Sequence, residues 1–435
     1  MRAYVPGLCL ILGLAASLGL SACRGADAPQ PTPGGAPTAI ARPPAFDVQS
    51  VPSPAGPGSL EPNVTVSERG LLVSWVERQD KLATLKFAER TADGWTATKT
   101  VASGDNWFVS HADVPTVLRM RDGTLVANWL VETDASIEAY NLMLSYSKDD
   151  GATWARPFTP HNDKTTTQHG FASFYELPGT FGLVWLDGRA QELDTTSPEG
   201  GAMSIRSATF NSAWTQTSDT AVDLRVCECC STTVAVTSDG PITAFRDRSD
   251  KDVRDIAVSR LDGKAWTAGQ IVHNDGWAIP ACPVNGPMLS ARDRSAAISW
   301  FTVKDEQGHA FAAFSPDAGR SWGAPIQLDE SAALGYVDVE LLDDGAALAS
   351  WVEARPQQAP EVRLRRIDAS GARGAFVTIG GSNGARPTGS PRFARFGDQV
   401  LLAWTESAPP AGGAPEGVLY VKTAATRVPR VTAIQ

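Results

Sequence analysis

Leu71-Leu72-Val73-Ser74-Trp75 and Leu401-Leu402-Ala403-Trp404 are two copies of one device, a short apolar run that closes on an aromatic residue. Five more anchors lie between them, at Trp129, Trp185, Phe245, Trp300 and Trp351, and the successive gaps are 54, 56, 60, 55, 51 and 53 residues. Repetition at this period marks a radial array of sheets. A second aromatic follows five of the anchors after 20 to 29 residues, at Trp95, Trp154, Trp214, Trp266 and Trp322. Runs of apolar and β-branched residues bounded by Gly, Asp and Asn read as strands, and no long stretch shows a helical apolar period. The fold class is therefore all-β, a β-propeller of seven four-stranded antiparallel units. The first aromatic falls on the second strand and the second aromatic on the outer strand.

The remaining segments bound the folded part. Met1 to Leu20 carries one early arginine and an apolar stretch, which reads as a secretory signal. Leu20-Ser21-Ala22-Cys23 resembles the box of bacterial lipoprotein signals. That resemblance implies lipidation of Cys23, membrane attachment through the lipid anchor, and, with Arg24 next to it, a location on the outer membrane or its periplasmic face. Residues 1–22 are then a leader. Residues 23–61, rich in Pro, Gly, Ala and Ser, read as a flexible tether, and 62–430 as the propeller. A formal net charge of -10 argues against nucleic acid, which selects a basic surface. A monomer is expected.

Ser147-Lys148-Asp149-Asp150-Gly151-Ala152-Thr153-Trp154 and Ser315-Pro316-Asp317-Ala318-Gly319-Arg320-Ser321-Trp322 share a Ser-x-Asp-x-Gly-x-x-Trp pattern. It resembles the Asp-box, or bacterial neuraminidase repeat, of sialidases and sialidase-like propellers. The resemblance spans about residues 62 to 430. Asp and Gly suit a tight turn between the third and fourth strands, and the Trp suits packing between neighbouring sheets. Sialidases have six blades, so a six-bladed ring plus an extra sheet around Trp75 is the alternative to seven.

In an antiparallel meander, first-strand starts and second-strand ends emerge on one face, near the axis. First-strand starts here carry His111, Asp113, His169, Cys227-Glu228-Cys229-Cys230, Cys282, Asn285, Tyr336, Asp338 and Arg392. Second-strand ends carry Asp187-Gly188-Arg189, Arg246-Asp247-Arg248 and Glu406. Two of the five histidines of the chain fall in this set. Convergence of these groups implies a polar pocket over the central channel. Arg246, Asp247, Arg248, Arg254 and Asp255 read equally as an ion-pair ladder between blades.

The sialidase resemblance implies a carboxylate clamp of arginines, a tyrosine nucleophile and an aspartate acid. On this chain Arg189, Arg246 and Arg392 take the clamp, Tyr336 the nucleophile and Asp113 the acid or base. The full candidate catalytic set is Asp113, Asp187, Arg189, Arg246, Asp247, Arg248, Tyr336 and Arg392. His111, His169, Asp255, Asn285 and Asp338 are candidate ligand contacts. Asp113-Val114-Pro115 stands where the family has Arg-Ile-Pro, and Gly389-Ser390-Pro391-Arg392 stands where it has its tyrosine. Both departures weaken the carry-over of sialidase chemistry.

Cys227, Cys229, Cys230 and Cys282 have no counterpart in that family. Outside the cytoplasm two disulfides are the expectation, with a bridge from the cluster to Cys282 geometrically plausible. The alternative is a thiolate site for copper or zinc, with His111 or His169 completing the ligands. Cys227 to Cys230, Arg246 to Arg248 and Cys282-Pro283-Val284-Asn285-Gly286-Pro287 are similar to a group of sialidase-like bacterial proteins that share these runs. Two functions stand open. One is glycoside hydrolysis of the sialidase type on a glycan or small anionic ligand. The other is a non-catalytic propeller that binds a glycan, a metal ion or a periplasmic protein.

Overall fold

The computed structural model describes residues 46–134, 136–193, 201–381, 390–407 and 418–428. The expected leader, Cys23 and most of the expected tether lie outside the described residues. Seven antiparallel sheets stand in a ring, a seven-bladed β-propeller, and the one helix among the described residues is the short Arg189–Leu193. The unit around Trp75 is a complete blade, so the six-bladed alternative falls.

The first strands of the seven blades are Ser59–Ser67, Val117–Arg119, His169–Leu177, Thr233–Thr237, Met288–Arg292, Ala333–Leu341 and Arg392–Phe396. They are innermost. A cavity of about 200 Å³ on the axis is lined by residues from the first strands, or the segments leading into them, of blades 1 to 5 and blade 7. Blade 7 is completed from the other end of the described chain: Gln49–Val51 pairs antiparallel with Leu419–Arg427, Gln49 opposite Ala425. Ser59 Oγ accepts the Val421 N–H at 2.9 Å across the same seam. The folded ring thus begins before residue 62. Pro52, Pro54 and Pro57 lie in the connection between the closing strand and blade 1, where a missing N–H costs no ladder bond.

Apolar clusters fill the gaps between sheets. Leu72, Phe87 and Trp129 join blades 1 and 2, Phe301 and Trp351 join blades 5 and 6, and Val64, Trp75 and Leu401 join blades 7 and 1. Second strands are covered on both faces, which is why their sequences are continuous apolar runs rather than alternating ones. All seven anchors are buried, Trp404 being the most exposed at 6 %.

The anchor indoles carry one polar atom each into this interior, and a carboxylate two residues on usually receives it. Trp75 donates to Glu77 at 2.9 Å, Trp185 to Asp187 at 2.9 Å, Trp351 to Glu353 at 2.6 Å and Trp404 to Glu406 at 2.8 Å. Trp300 has Thr302 at that position and turns instead to Asp275, at 2.8 Å. Trp129 stacks on Trp107, centroids 5.5 Å apart.

Both Ser-x-Asp-x-Gly-x-x-Trp turns close in the same way. Ser147 Oγ accepts from Gly151 N at 2.8 Å and Asp149 accepts from Thr153 N at 2.9 Å; Ser315 accepts from Gly319 at 2.9 Å and Asp317 from Ser321 N at 2.8 Å. Gly151 (φ 80°) and Gly319 (φ 76°) take the left-handed conformation this turn requires. The expected placement of the second aromatics needs correcting. Trp214 and Trp322 sit in the connections before the fourth strand, Trp154 follows the third and last strand of the blade 2 sheet, and only Trp95 and Trp266 lie in short strands.

Glu353 also accepts Arg363 Nη1 at 3.1 Å while nearly fully buried. Glu353→Ala leaves the buried Trp351 indole without its acceptor and removes this ion pair, and is expected to cost about 2–4 kcal/mol, read as a lowered urea midpoint. An unchanged midpoint would show that the indole–carboxylate device carries no stability.

Candidate functional site

The starts of the first strands are irregular in a repeated way. Register shifts occur at Leu60/Asn63, Gly170/Ser173 and Gly335/Asp338. Inside each bulge one non-glycine residue is left-handed: Glu61 (φ 54°), Phe171 (φ 54°) and Tyr336 (φ 52°). Such residues cost on the order of 1–3 kcal/mol and persist where the surroundings hold them, often beside working sites.

Polar side chains of one blade hold the bulge of the next. Asp113 Oδ2 accepts the Phe171 N–H at 2.6 Å, and Asn285 Oδ1 accepts the Tyr336 N–H at 2.8 Å. Asp338 Oδ2 accepts the Phe393 N–H at 3.0 Å. Asn285 and Asp338, expected as ligand contacts, therefore tie blades 5 to 6 and 6 to 7. Asp113 ties blades 2 and 3, and its carboxyl also reaches the axial cavity, which Arg392 shares. Arg392 is buried near Asp338, and burial lowers its pKa.

Burial dominates the acids here. It pushes Asp113 up to about 7, against one N–H donor, and Asp338 up to about 6, against the Arg392 charge. Glu61 is pushed well above the carboxylate range by burial and then by the Asp113 charge, opposed by Arg78. Both Glu61 carboxylate oxygens are buried without a hydrogen-bond partner. Glu61 was not among the expected site residues because it fell inside the presumed tether. It opens onto a cavity of about 960 Å³, lined also by Arg78, Phe108, His111, Glu138 and Tyr420. A neighbouring cavity of about 400 Å³ shares Phe108, His111 and Glu138 and extends to Cys229 and Cys282.

The other expected residues line none of these cavities. Arg246 is 1 % exposed, and each of its nitrogens donates to a main-chain carbonyl: Nε to Asn285 at 2.9 Å, Nη1 to Arg254 at 2.6 Å and Nη2 to Phe301 at 2.6 Å. It is a tie between blades 4 and 5, stacked on Trp277. Arg189 grips Asp187 in a bidentate pair at 2.6 and 2.7 Å. Arg248 pairs with Glu228 and, at 2.8 Å, with Asp252, and Arg254 Nη1 meets Glu228 at 2.8 Å; these pairs stay within blade 4 and form no ladder between blades. Asp255 accepts the Gly276 and Trp277 N–H groups at 3.1 and 3.3 Å. Burial raises Asp247, with Asp223 and Asp255 adding to it. The three clamp arginines are thus not assembled around one cavity, and Arg392 alone of them faces the axis.

His169 is fully buried beside Asp163 and His161 at the start of blade 3, while His111 lies on the cavity wall. Burial, then the His169 charge, pull His161 down to about 4.

The cysteines adopt the cross-blade arrangement. Cys229 and Cys282, 53 residues apart, form a disulfide between the segments leading into blades 4 and 5. Cys227 and Cys230 are buried with sulfurs 2.6 Å apart. Burial pushes Cys227 up, but the Cys230 hydrogen bond, the Cys229 main chain and the Arg246 and Arg254 charges outweigh it and bring the thiol to about 6; Cys230 is pushed well above its ordinary value. Of the two expected disulfides, the described residues contain one.

No family model matches the chain, and no curated protein matches it. Solved structures with this fold include a protein of unknown function from Dyadobacter fermentans, 14 % identical over 88 % of this chain and 98 % of that one, at a TM-score of 0.51. The polysaccharide lyase Uly1 is 10 % identical over 84 % and 89 %, at 0.48. A mutant of the NanB sialidase from Streptococcus pneumoniae is 9 % identical over 87 % and 92 %, at 0.45. At its identity the first of these likenesses shows the fold alone.

Two outcomes are expected. An unfolded Asp113 releases its proton near the ordinary 3.8 and the folded one near about 7, so the folded chain holds the extra proton between them. Stability from this group therefore falls as pH rises through that window and is level above it. Asp113→Asn flattens that part of the melting temperature against pH; an unaltered slope would contradict the raised pKa. Removing the bridge with Cys229→Ser and Cys282→Ser is expected to cost about 2–4 kcal/mol by denaturant titration, since it frees a long loop. No loss would show that the seam is held by packing alone.

Proposed function

We propose that the first-strand face of this propeller binds a glycan and hydrolyses it by acid–base chemistry, with Glu61 as the acid that protonates the leaving oxygen and Asp113, ionised above about pH 7, as the base that takes the proton of the attacking water. The observation that carries this reading is a pair of buried carboxylic acids on the first-strand side, Glu61 and Asp113, each lining a cavity and each with its pKa raised by burial. A carboxyl whose pKa is raised by burial is a general acid able to protonate a leaving oxygen. The adjoining cavity is of ligand size, and Phe108 and Tyr420 offer apolar faces to a sugar beside the polar Arg78 and His111. The Cys229–Cys282 bridge fits an oxidising compartment, where exported glycans are found.

Sialidase-type hydrolysis is the finer form of this proposal. A clamp on a sugar carboxylate here has Arg392 and Arg78 to draw on, since Arg189 and Arg246 are held by structural partners. A glycan recognised mainly through hydroxyls therefore fits better than one held by a triple arginine clamp.

Fluorogenic glycosides, including a sialoside, are the test. Turnover is expected to fall by about 10²–10⁴-fold in Glu61→Gln or Asp113→Asn while binding persists. Turnover that survives both changes, or a chain that neither binds nor cleaves any glycan, would contradict the proposal.

A second reading, a propeller that binds a soft metal ion, draws on Cys227, Cys229 and Cys230, whose sulfurs lie within 4.8 Å of one another. The bridge to Cys282 takes one of the three, so this reading needs a reduced protein and would show as copper or zinc uptake lost in Cys227→Ser.

A further inference from the structure

Away from the acids and the sulfurs, the connection from blade 2 to blade 3 gathers His161, Asp163 and His169 into one buried cluster. Asp163 Oδ2 lies 3.3 Å from His161 Nδ1 and 3.2 Å from His169 Nε2. The two imidazoles are stacked, with centroids 3.8 Å apart and planes 4° from parallel, and present a nitrogen each to the same carboxylate edge. His161 is 7 % exposed and His169 0 %. One ligand atom from each of the three residues lies within 4.8 Å of the others.

The cluster is left short of hydrogen bonds. Asp163 Oδ2, His161 Nε2 and both ring nitrogens of His169 are buried and complete none of acceptable geometry. Four such atoms in one place call for an ion or a water, because buried polar atoms are otherwise nearly always satisfied.

The surroundings fix the donors. Thr165 donates from its N–H at 3.0 Å and from its hydroxyl at 2.5 Å to Asp163 Oδ1, which leaves Oδ2 for the imidazoles. The Thr159 hydroxyl donates to the His161 carbonyl at 2.7 Å, and Gln216 of blade 3 donates to the Pro160 carbonyl at 2.9 Å. Arg189, whose Nη2 is 3.5 Å from Asp163 Oδ2, is neutralised by its bidentate pair with Asp187. Pinning of ligands by such outer contacts is usual in metal centres. Thr166, Thr167 and Gln168, between the ligands in sequence, line the cavity of about 400 Å³.

We propose that His161, Asp163 and His169 form a binding site for one divalent transition-metal ion, of the zinc type, held by two imidazole nitrogens and a carboxylate oxygen with at least one position left open. The N₂O donor set is borderline in softness and suits zinc, cobalt, nickel or copper rather than calcium or magnesium. The site is independent of the acid pair and of the cysteines.

The full chain, stripped with a chelator, is titrated with zinc and separately with cobalt. The Cys227→Ser, Cys230→Ser double variant is used alongside it so that sulfur binding is told apart. One zinc per chain is expected in both proteins, with visible cobalt absorption that lacks a thiolate charge-transfer band in the double variant. Asp163→Asn, nearly isosteric, is expected to weaken zinc by more than about tenfold. In the unaltered chain, paramagnetic cobalt should broaden the His161 and His169 ring resonances and leave those of His273 and His309, which does not depend on any variant folding. Zinc uptake that vanishes in the cysteine variant, cobalt that leaves the His161 and His169 signals sharp, or no stoichiometric uptake would each overturn the proposal.

Discussion

A β-sheet with two apolar faces has to be covered on both, and a row of such sheets satisfies this only by closing on itself. That requirement governs the molecule. Trp75 of blade 1 packs against Leu401 of blade 7 in the same manner as Phe301 of blade 5 packs near Trp351 of blade 6. Each buried aromatic or Leu side chain contributes about 1.5–3 kcal/mol when sequestered, so an open ring would forgo the share of a whole interface. Gln49–Val51 secures closure by completing the last blade with a strand from before the first, so that the seam is hydrogen-bonded as well as packed.

Closure then dictates what can happen on the axis. Seven first strands meet where there is little room, and their leading segments end in main-chain groups that must be paired. Asp113, Asn285, Asp338 and Arg246 do this pairing across blade boundaries. A carboxylate that gains one N–H while losing its water is under-compensated, because burial penalises its charge more than one donor relieves it. Structural ties on the axis thereby become raised-pKa acids. Asp113 illustrates the point: the burial that comes with locking blade 2 to blade 3 raises its carboxyl to about 7. Glu61 completes the pair through a bulge that turns a left-handed residue toward the mouth.

The fold was legible because second strands are buried on both faces, which imposes unbroken apolar runs and an indole at a fixed place in each unit. Phe245 kept the period although it cannot make the Trp–carboxylate hydrogen bond, since packing alone sets that position. The face was legible from strand direction, and it placed Asp113, His111 and Arg392 on cavity walls. The role of Arg246 was left open in the sequence for a physical reason: its carbonyl partners come from Asn285, Arg254 and Phe301, segments whose approach no local pattern reveals. Glu61 was hidden by the Pro- and Gly-rich flank around it. Tyr336 stood out while Glu61 did not, yet the two occupy the same bulge position in different blades. His161 and Asp163 sit in a connection with no periodicity, so only the folded chain shows that they meet His169.

The central claim is that closure of the ring produces two buried acids at its mouth. A carbon-13 NMR titration of the side-chain carboxyl groups tests it most directly. The account expects the Asp113 carbon to titrate at about 7, and that of Glu61 well above its ordinary value. Midpoints for both in the ordinary carboxylate range would contradict it.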